Sequence, residues 1–267
     1  MAKIHDISMS TCPLKMIRVS DDDEVVASGD ATGFFWLHNS QWFIITNWHV
    51  VTGVNADSGK INNSFIPNRM EISLKLITSD NGTQSLVEPS ELVVNLYEGE
   101  KPLWKEHETG RNIDCVAIPV DLSAFANLAN RALNTFKFQG DLAASIGIDC
   151  FIIGYPNNLE GRARTPIWKR ASVATEPDLN HDDKPMLLVD TASRHGMSGS
   201  PVIIRQYGIH ENDGGGYFGN AENFLGVYSG RLGADELSVQ LGRVWKASVI
   251  AEILNAGRDG VHPNDAD

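Results

Sequence analysis

The sequence is poor in cysteine, with only Cys12, Cys115 and Cys150 among 267 residues. An odd number at such wide spacing does not make a disulfide framework. Cys115 and Cys150 lie in apolar runs, where a free buried thiol is expected. A reducing compartment fits this usage. Long apolar runs are also missing: nothing approaches the roughly 18 residues of a membrane span, and residues 1–20 lack the apolar core of a secretory signal. The expectation is a cytoplasmic protein without a membrane partner. Basic residues are scarce, 22 Lys and Arg against 34 Asp and Glu, a net charge of −12. That balance argues against nucleic acid as the main partner. No His/Cys/Asp cluster has zinc-ligand spacing. Gly214-Gly215-Gly216 is not followed by the Lys-Ser/Thr of a phosphate loop. No metal or cofactor is therefore implied, and no internal repeat or low-complexity segment is visible.

What the chain does have is glycine, 24 residues, and 42% hydrophobic residues in short runs. Alternation of apolar runs with turn residues predicts an all-β protein. Strands are expected at 16–19, 34–38, 42–46, 71–78, 92–97 and 115–120, with a hairpin turn at His38-Asn39-Ser40-Gln41. These would close a first barrel of about six strands, with 55–68 and 98–111 as surface loops. Residues 121–133 differ, since Leu122, Phe125, Ala126, Leu128 and Ala129 recur at helical spacing. They are read as a helical connector. Strands are expected again at 149–153, 167–175, 186–190, 201–205, 224–229 and 239–244, with 207–223 as a long flexible loop. A helix is expected at 244–254, stopped by Gly257. The domain reading is an N-terminal lobe at 1–120, a connector at 121–140, a C-terminal lobe at 141–245 and a helix with tail at 246–267.

The most informative stretch is Arg194-His195-Gly196-Met197-Ser198-Gly199-Ser200-Pro201. A serine between glycines suits a nucleophile turn, because Gly196 lets the backbone aim amides at a developing oxyanion. Gly199 would leave room beside Ser198 Oγ. A serine hydroxyl needs a neighbouring base, and the base needs an orienting group. Thr46-Asn47-Trp48-His49-Val50 supplies a histidine at the end of an apolar strand, and Ile113-Asp114-Cys115-Val116 supplies an aspartate before another. The chain order His, Asp, Ser separates this arrangement from unrelated hydrolase folds. His49 is assigned as base, Asp114 as orienting acid, Ser198 as nucleophile, and the amides of Gly196 and Ser198 as oxyanion donors. Asp80 is a weaker rival to Asp114, as no apolar strand follows it.

At these residues the chain resembles the trypsin-like serine peptidases of chymotrypsin fold, in particular the bacterial branch of HtrA-type proteases and the staphylococcal glutamyl endopeptidase. Gly33-Phe34-Phe35 with 44–50 resembles "GSGF … ILTNxHV", Asp114-Cys115-Val116-Ala117-Ile118 resembles "DLAVL", and the octet resembles "GNSGGP". Phe151-Ile152-Ile153-Gly154-Tyr155-Pro156 resembles the family's "GYP" segment, and Gly226-Val227-Tyr228-Ser229 its substrate-pairing strand. The resemblance implies two six-stranded antiparallel barrels with a C-terminal helix, and a serine endopeptidase acting on polypeptides through an acyl-enzyme. The alternative is a catalytically silent or latent binding module that requires an activating protein partner. Met197 stands where the family has Asp or Asn, so the zymogen switch of the digestive members is unavailable. By the same alignment Ala192, Ser193, His195, Tyr228, Ser229 and Arg231 would line the substrate pocket. Ala192 and Ser193 are not acidic, which disfavours cleavage after Lys or Arg. A small or apolar residue is the first expectation, and Arg231 or His195 would instead select an acidic one.

Overall fold

A computed structural model describes residues 4–61, 65–80, 83–86, 90–138, 142–192, 194–212, 215–232 and 239–265. After a short helix α1 (Asp6–Ser10), the first half of the chain is strand: β1 (Thr11–Val19), β2 (Val25–His38), β3 (Gln41–Thr46), β4 (Arg69–Leu74), β5 (Ile77–Asp80), β6 (Thr83–Leu86), β7 (Ser90–Asn95), β8 (Tyr97–Glu98), β9 (Lys101–Pro102), β10 (Lys105–Glu106) and β11 (Val116–Val120), with helix α2 (Trp48–Thr52) after β3. The second half holds β12 (Asp149–Gly154), β13 (Ile167–Val173), β14 (Met186–Asp190), β15 (Pro201–Asn212), β16 (Gly215–Arg231), β17 (Leu241–Lys246), helix α3 (Ser248–Ala256) and β18 (Arg258–Asp259).

The protein is mostly β and chymotrypsin-like, with two lobes. The C-terminal lobe is a closed six-stranded barrel in the order β12-β13-β14-β17-β16-β15. The N-terminal lobe carries eight strands in one sheet, β18-β10-β11-β3-β2-β1-β4-β7, rather than the six expected. Two of the eight are two-residue strands at one edge, and β18 comes from beyond α3, which no local pattern in the N-terminal half could announce. The β2–β3 hairpin turns on Asn39 (φ 47°) and Ser40 (φ 64°). Two successive left-handed residues match the twist of the flanking strands.

Three apolar clusters hold this together. One fills the N-terminal lobe around Leu14, Phe35, Ile44, Met70 and Ile72. Another fills the barrel around Cys150, Ile152, Val189, Met197 and Val244. A further cluster lies between them and joins Phe34, Ile45 and Ala117 of the first lobe to Ile153, Val227 and Trp245 of the second, with Val249, Ile250 and Ile253 of α3. Burying one such side chain contributes about 1.5–3 kcal/mol, so this shared layer fixes the lobes against each other. All three cysteines are free and buried. Among the described residues no helix is long and apolar enough to cross a membrane.

Several segments differ from the sequence reading. Residues 98–111, expected as a surface loop, hold β9, β10 and the buried Glu106. Residues 121–132 are not helical, and the nearest helical turn is a short 3-10 piece at Leu133–Thr135. Their backbone pairs sideways instead: Ala129 N donates to Lys75 O (2.7 Å) and Ile77 N to Asn127 O (2.8 Å). Asn130 adds Oδ1 to Lys75 N at 2.6 Å and Nδ2 to Met9 O at 3.0 Å. Tertiary partners outweigh the helical spacing here, as they often do for short segments. Residues 207–212 and 215–223, expected as part of a long flexible loop, form a two-stranded ribbon extending β15 and β16, paired from Tyr207–Asn220 to Asn212–Gly215. Finally, α3 begins at Ser248, because Val244 belongs to β17 and pairs with Leu187 and Tyr228.

Candidate active site

His49 sits in α2, which lasts barely more than one turn. Asn47 enters it from extended backbone (φ −86°, ψ 153°), and Gly53 ends it in the left-handed region (φ 70°), donating its N–H to His49 O at 2.9 Å. A side chain at Gly53 would strike Phe65 O, so the stop is enforced by both conformation and space. Asn47 Nδ2 donates to Asp114 O at 2.8 Å, tying the helix start to the segment that enters β11.

Asp114 is 5% exposed and accepts three hydrogen bonds. His49 Nδ1 lies 2.7 Å from Oδ2, the His49 backbone N–H donates to Oδ1 at 2.9 Å, and Ser229 Oγ donates to Oδ2 at 2.6 Å. Burial opposes ionisation of this carboxyl, but the His49 charge and the hydrogen bonds from His49 and Ser229 outweigh it and hold the pKa below the ordinary value of 3.8. An ionised carboxylate can only accept. Nδ1 of His49 therefore carries the proton, and in the neutral ring Nε2 keeps its lone pair for a proton from elsewhere.

Ser198 lies in a turn closed by Ser200 N donating to Met197 O at 3.1 Å. Gly196 (φ 85°) and Gly199 (φ 83°) are both left-handed. A Cβ at Gly196 would meet Tyr155 O, and one at Gly199 would meet Thr32 O and Thr46 Oγ1. The space at Gly199 thus serves the close approach of the turn to the N-terminal lobe, rather than room beside the Ser198 hydroxyl. Met197 is 0% exposed, packed in the barrel core. The turn is pinned from both lobes. Thr32 N donates to Ser198 O (2.9 Å) and Thr32 Oγ1 to Gly196 O (2.7 Å), while Gly199 N donates to Tyr228 O (2.9 Å). Thr32 Oγ1 also accepts from Tyr155 N at 3.1 Å. Thr32 carries no sequence signal for this role, since its partners lie more than 100 residues away.

His49, Asp114, Gly196 and Ser198 line one cleft of about 660 Å³ between the lobes. His195, Tyr228, Ser229 and Arg231 line it too. Ser229 turns its hydroxyl onto Asp114 rather than toward bound substrate, and Tyr228 is 1% exposed. Ala192 is half-buried and outside the cleft lining, and Ser193 lies outside the described residues. Asp80 lies in β5. The sequence reading had not found the ion pair between Asp57, on the turn after α2, and Arg243 of β17, both of which line the cleft. Among the described residues no group of three or more His, Cys, Asp or Glu side chains is placed to hold a metal ion.

No curated protein matches the sequence. Among solved structures, the inactive form of a serine-to-alanine mutant of Rv3671c from M. tuberculosis H37Rv is similar at 17% identity and a TM-score of 0.44, covering 93% of this chain and 86% of that one. Residues 31–208 match the trypsin-like peptidase domain. That span contains His49, Asp114 and Ser198, and the chain belongs to the family of trypsin-like peptidase domains.

Proposed function

We propose that the protein is a serine endopeptidase that hydrolyses peptide bonds through an acyl-enzyme on Ser198. The observation that carries this reading is the His49–Asp114 pair, held at 2.7 Å and facing the same cleft as Ser198. His49 Nε2 takes the Ser198 Oγ proton as Oγ bonds to the substrate carbonyl carbon. The carbonyl oxygen becomes an oxyanion that accepts from the Gly196 and Ser198 amides. Losing one such donor costs about 3–4 kcal/mol of transition-state stabilisation. As the C–N bond breaks, the imidazolium returns its proton to the leaving amine. Water then enters, gives a proton to His49 and attacks the acyl carbon, and the proton passes back to Ser198 Oγ as the acid leaves. Asp114 stays ionised throughout and stabilises the imidazolium.

The C-terminal-lobe wall of the cleft supports a substrate preference other than Lys or Arg. Among the described residues, those that line it, Asn157, 194–196, Ser198, 228–231 and Arg243, include no carboxylate. Treatment with a fluorophosphonate probe tests the function. Covalent labelling of Ser198 that disappears in Ser198→Ala and falls steeply in His49→Ala is the expected result. A folded protein that never labels at Ser198 would overturn the reading.

A further inference from the structure

Behind α2, outside the cleft lining, lies a carboxylate with both oxygens hydrogen-bonded. Glu106 of β10 is 1% exposed. Its Oε2 accepts from the indole N–H of Trp48 at 3.0 Å and of Trp104 at 3.4 Å, and its Oε1 accepts from Arg258 Nε at 2.9 Å, with Arg258 Nη2 in ion-pair contact at 2.9 Å. Both oxygens are therefore engaged. Trp48 is the first residue of α2 and immediately precedes His49. Arg258 belongs to β18, whose register sets it opposite Glu106. On its other side β10 pairs Glu106 with Val116, two residues beyond Asp114. One carboxylate thus touches the helix that carries the histidine and the frame that carries its acid.

We propose that Arg258 is a positioning residue for His49, acting through Glu106 and Trp48. The proposal rests on the reading of His49 as the general base. A buried ion pair is weak support for stability, since apolar residues of the same volume often do as well. What such a pair does supply is direction: the guanidinium fixes the carboxylate, and the carboxylate fixes the plane of the Trp48 indole. The rotation of α2 about its axis then follows, and with it the aim of the imidazole. Left-handed Gly110 (φ 61°) lets Arg258 pass, because a side chain there would meet its Nη2. Without Arg258, Glu106 is a half-satisfied buried charge free to turn toward water, and Trp48 loses a fixed acceptor.

The test compares the full-length protein with Arg258→Ala, Glu106→Gln and Lys101→Ala. The last loosens the same tail, because Lys101 pairs with Asp259, but leaves Glu106 alone. Three quantities are read: the rate of fluorophosphonate labelling of Ser198 across pH, the folded fraction, and the NMR resonance of the His49 Nδ1–H with its exchange rate. Small misplacements of catalytic groups cost up to about 100-fold. Arg258→Ala is expected to label about 10- to 100-fold more slowly while folded, with a shifted pH midpoint and faster exchange of the His49 proton. Low-millimolar guanidinium ion should restore it, and Lys101→Ala should behave as wild type. Wild-type labelling and resonance in Arg258→Ala would overturn the proposal, as would equal losses in Lys101→Ala. Should Arg258→Ala not fold, Glu106→Gln decides, and an unchanged rate and resonance there overturn it. If the wild type itself never labels, the endopeptidase reading fails. The His49 resonance then decides positioning alone, an unchanged signal in Arg258→Ala overturning it.

Discussion

Thr32 grips the carbonyls on both sides of Met197: its amide donates to Ser198 O at 2.9 Å and its hydroxyl to Gly196 O at 2.7 Å. A residue of the N-terminal lobe therefore shapes the turn that presents the serine of the C-terminal lobe. Thr32→Val keeps the volume but leaves Gly196 O without this donor and Tyr155 N without its side-chain acceptor. Each buried group left unpaired costs about 1–3 kcal/mol. Lower thermal stability together with at least tenfold slower fluorophosphonate labelling is expected, and Thr32→Ser should retain both.

Ser229 donates to Asp114 Oδ2 at 2.6 Å, and that bond favours the ionised form. Asp114 titrates below its unfolded value of 3.8. Its contribution to stability is therefore fully present above that value and is lost as pH falls through the lower folded one. Ser229→Ala raises the folded pKa, so the acid loss of stability should end at higher pH and be smaller in total. Urea midpoints measured at closely spaced pH values should show the wild type's advantage full above that value and shrinking as pH falls below it.

Lys75 is 3% exposed, with Nζ donating to Thr11 O (2.7 Å) and Tyr155 Oη (3.3 Å). Burial lowers its pKa from 10.5 to about 8, with Cys12 and Glu160 opposing the shift. Below about pH 8 the lysine is charged in both states, and above 10.5 it is neutral in both. Between them the unfolded chain binds more protons, so this residue makes stability rise with pH, by about 3 kcal/mol over the window. Lys75→Met should remove that rise. Subtracting its unfolding free energy from the wild type's at each pH gives the contribution of the lysine together with its coupling to Cys12.

Met197 fills the barrel core at 0% exposure. Met197→Asp places an uncompensated charge there and should cost about 3–5 kcal/mol, whereas Met197→Leu should cost under about 1.5 kcal/mol. Denaturant titration of the two variants checks the contrast. Near-wild-type stability in the aspartate variant would reveal a cationic partner that the barrel core does not display.

The parts legible in the sequence were those whose cause is local. The β2–β3 hairpin announced itself through Asn39 and Ser40, and the barrel strands through short apolar runs between turns. His49, Asp114 and Ser198 each sat in a recognisable strand-end or turn pattern, and the fold brings all three to one cleft. What stayed hidden depends on distant partners. Leu122, Phe125 and Leu128 have helical spacing, yet the backbone around them bonds to the β4–β5 junction. Glu98 to Arg111 reads as a polar loop, although Glu106 within it is among the most buried carboxyls in the protein. Ser229 lines the cleft, but its bond to Asp114 stayed hidden because nothing near it in the chain reveals an aspartate 115 positions away.

The apolar layer shared by Phe34, Ile45, Ile153, Trp245 and α3 has a mechanical corollary. Parting the lobes to widen the cleft would wet that whole layer at once, so a clamshell hinge is closed to this molecule. Any widening of the way to Ser198 falls to the rim. There the Asp57–Arg243 pair joins a turn of one lobe to a strand of the other, and it can be undone by a competing ion without disturbing the floor beneath.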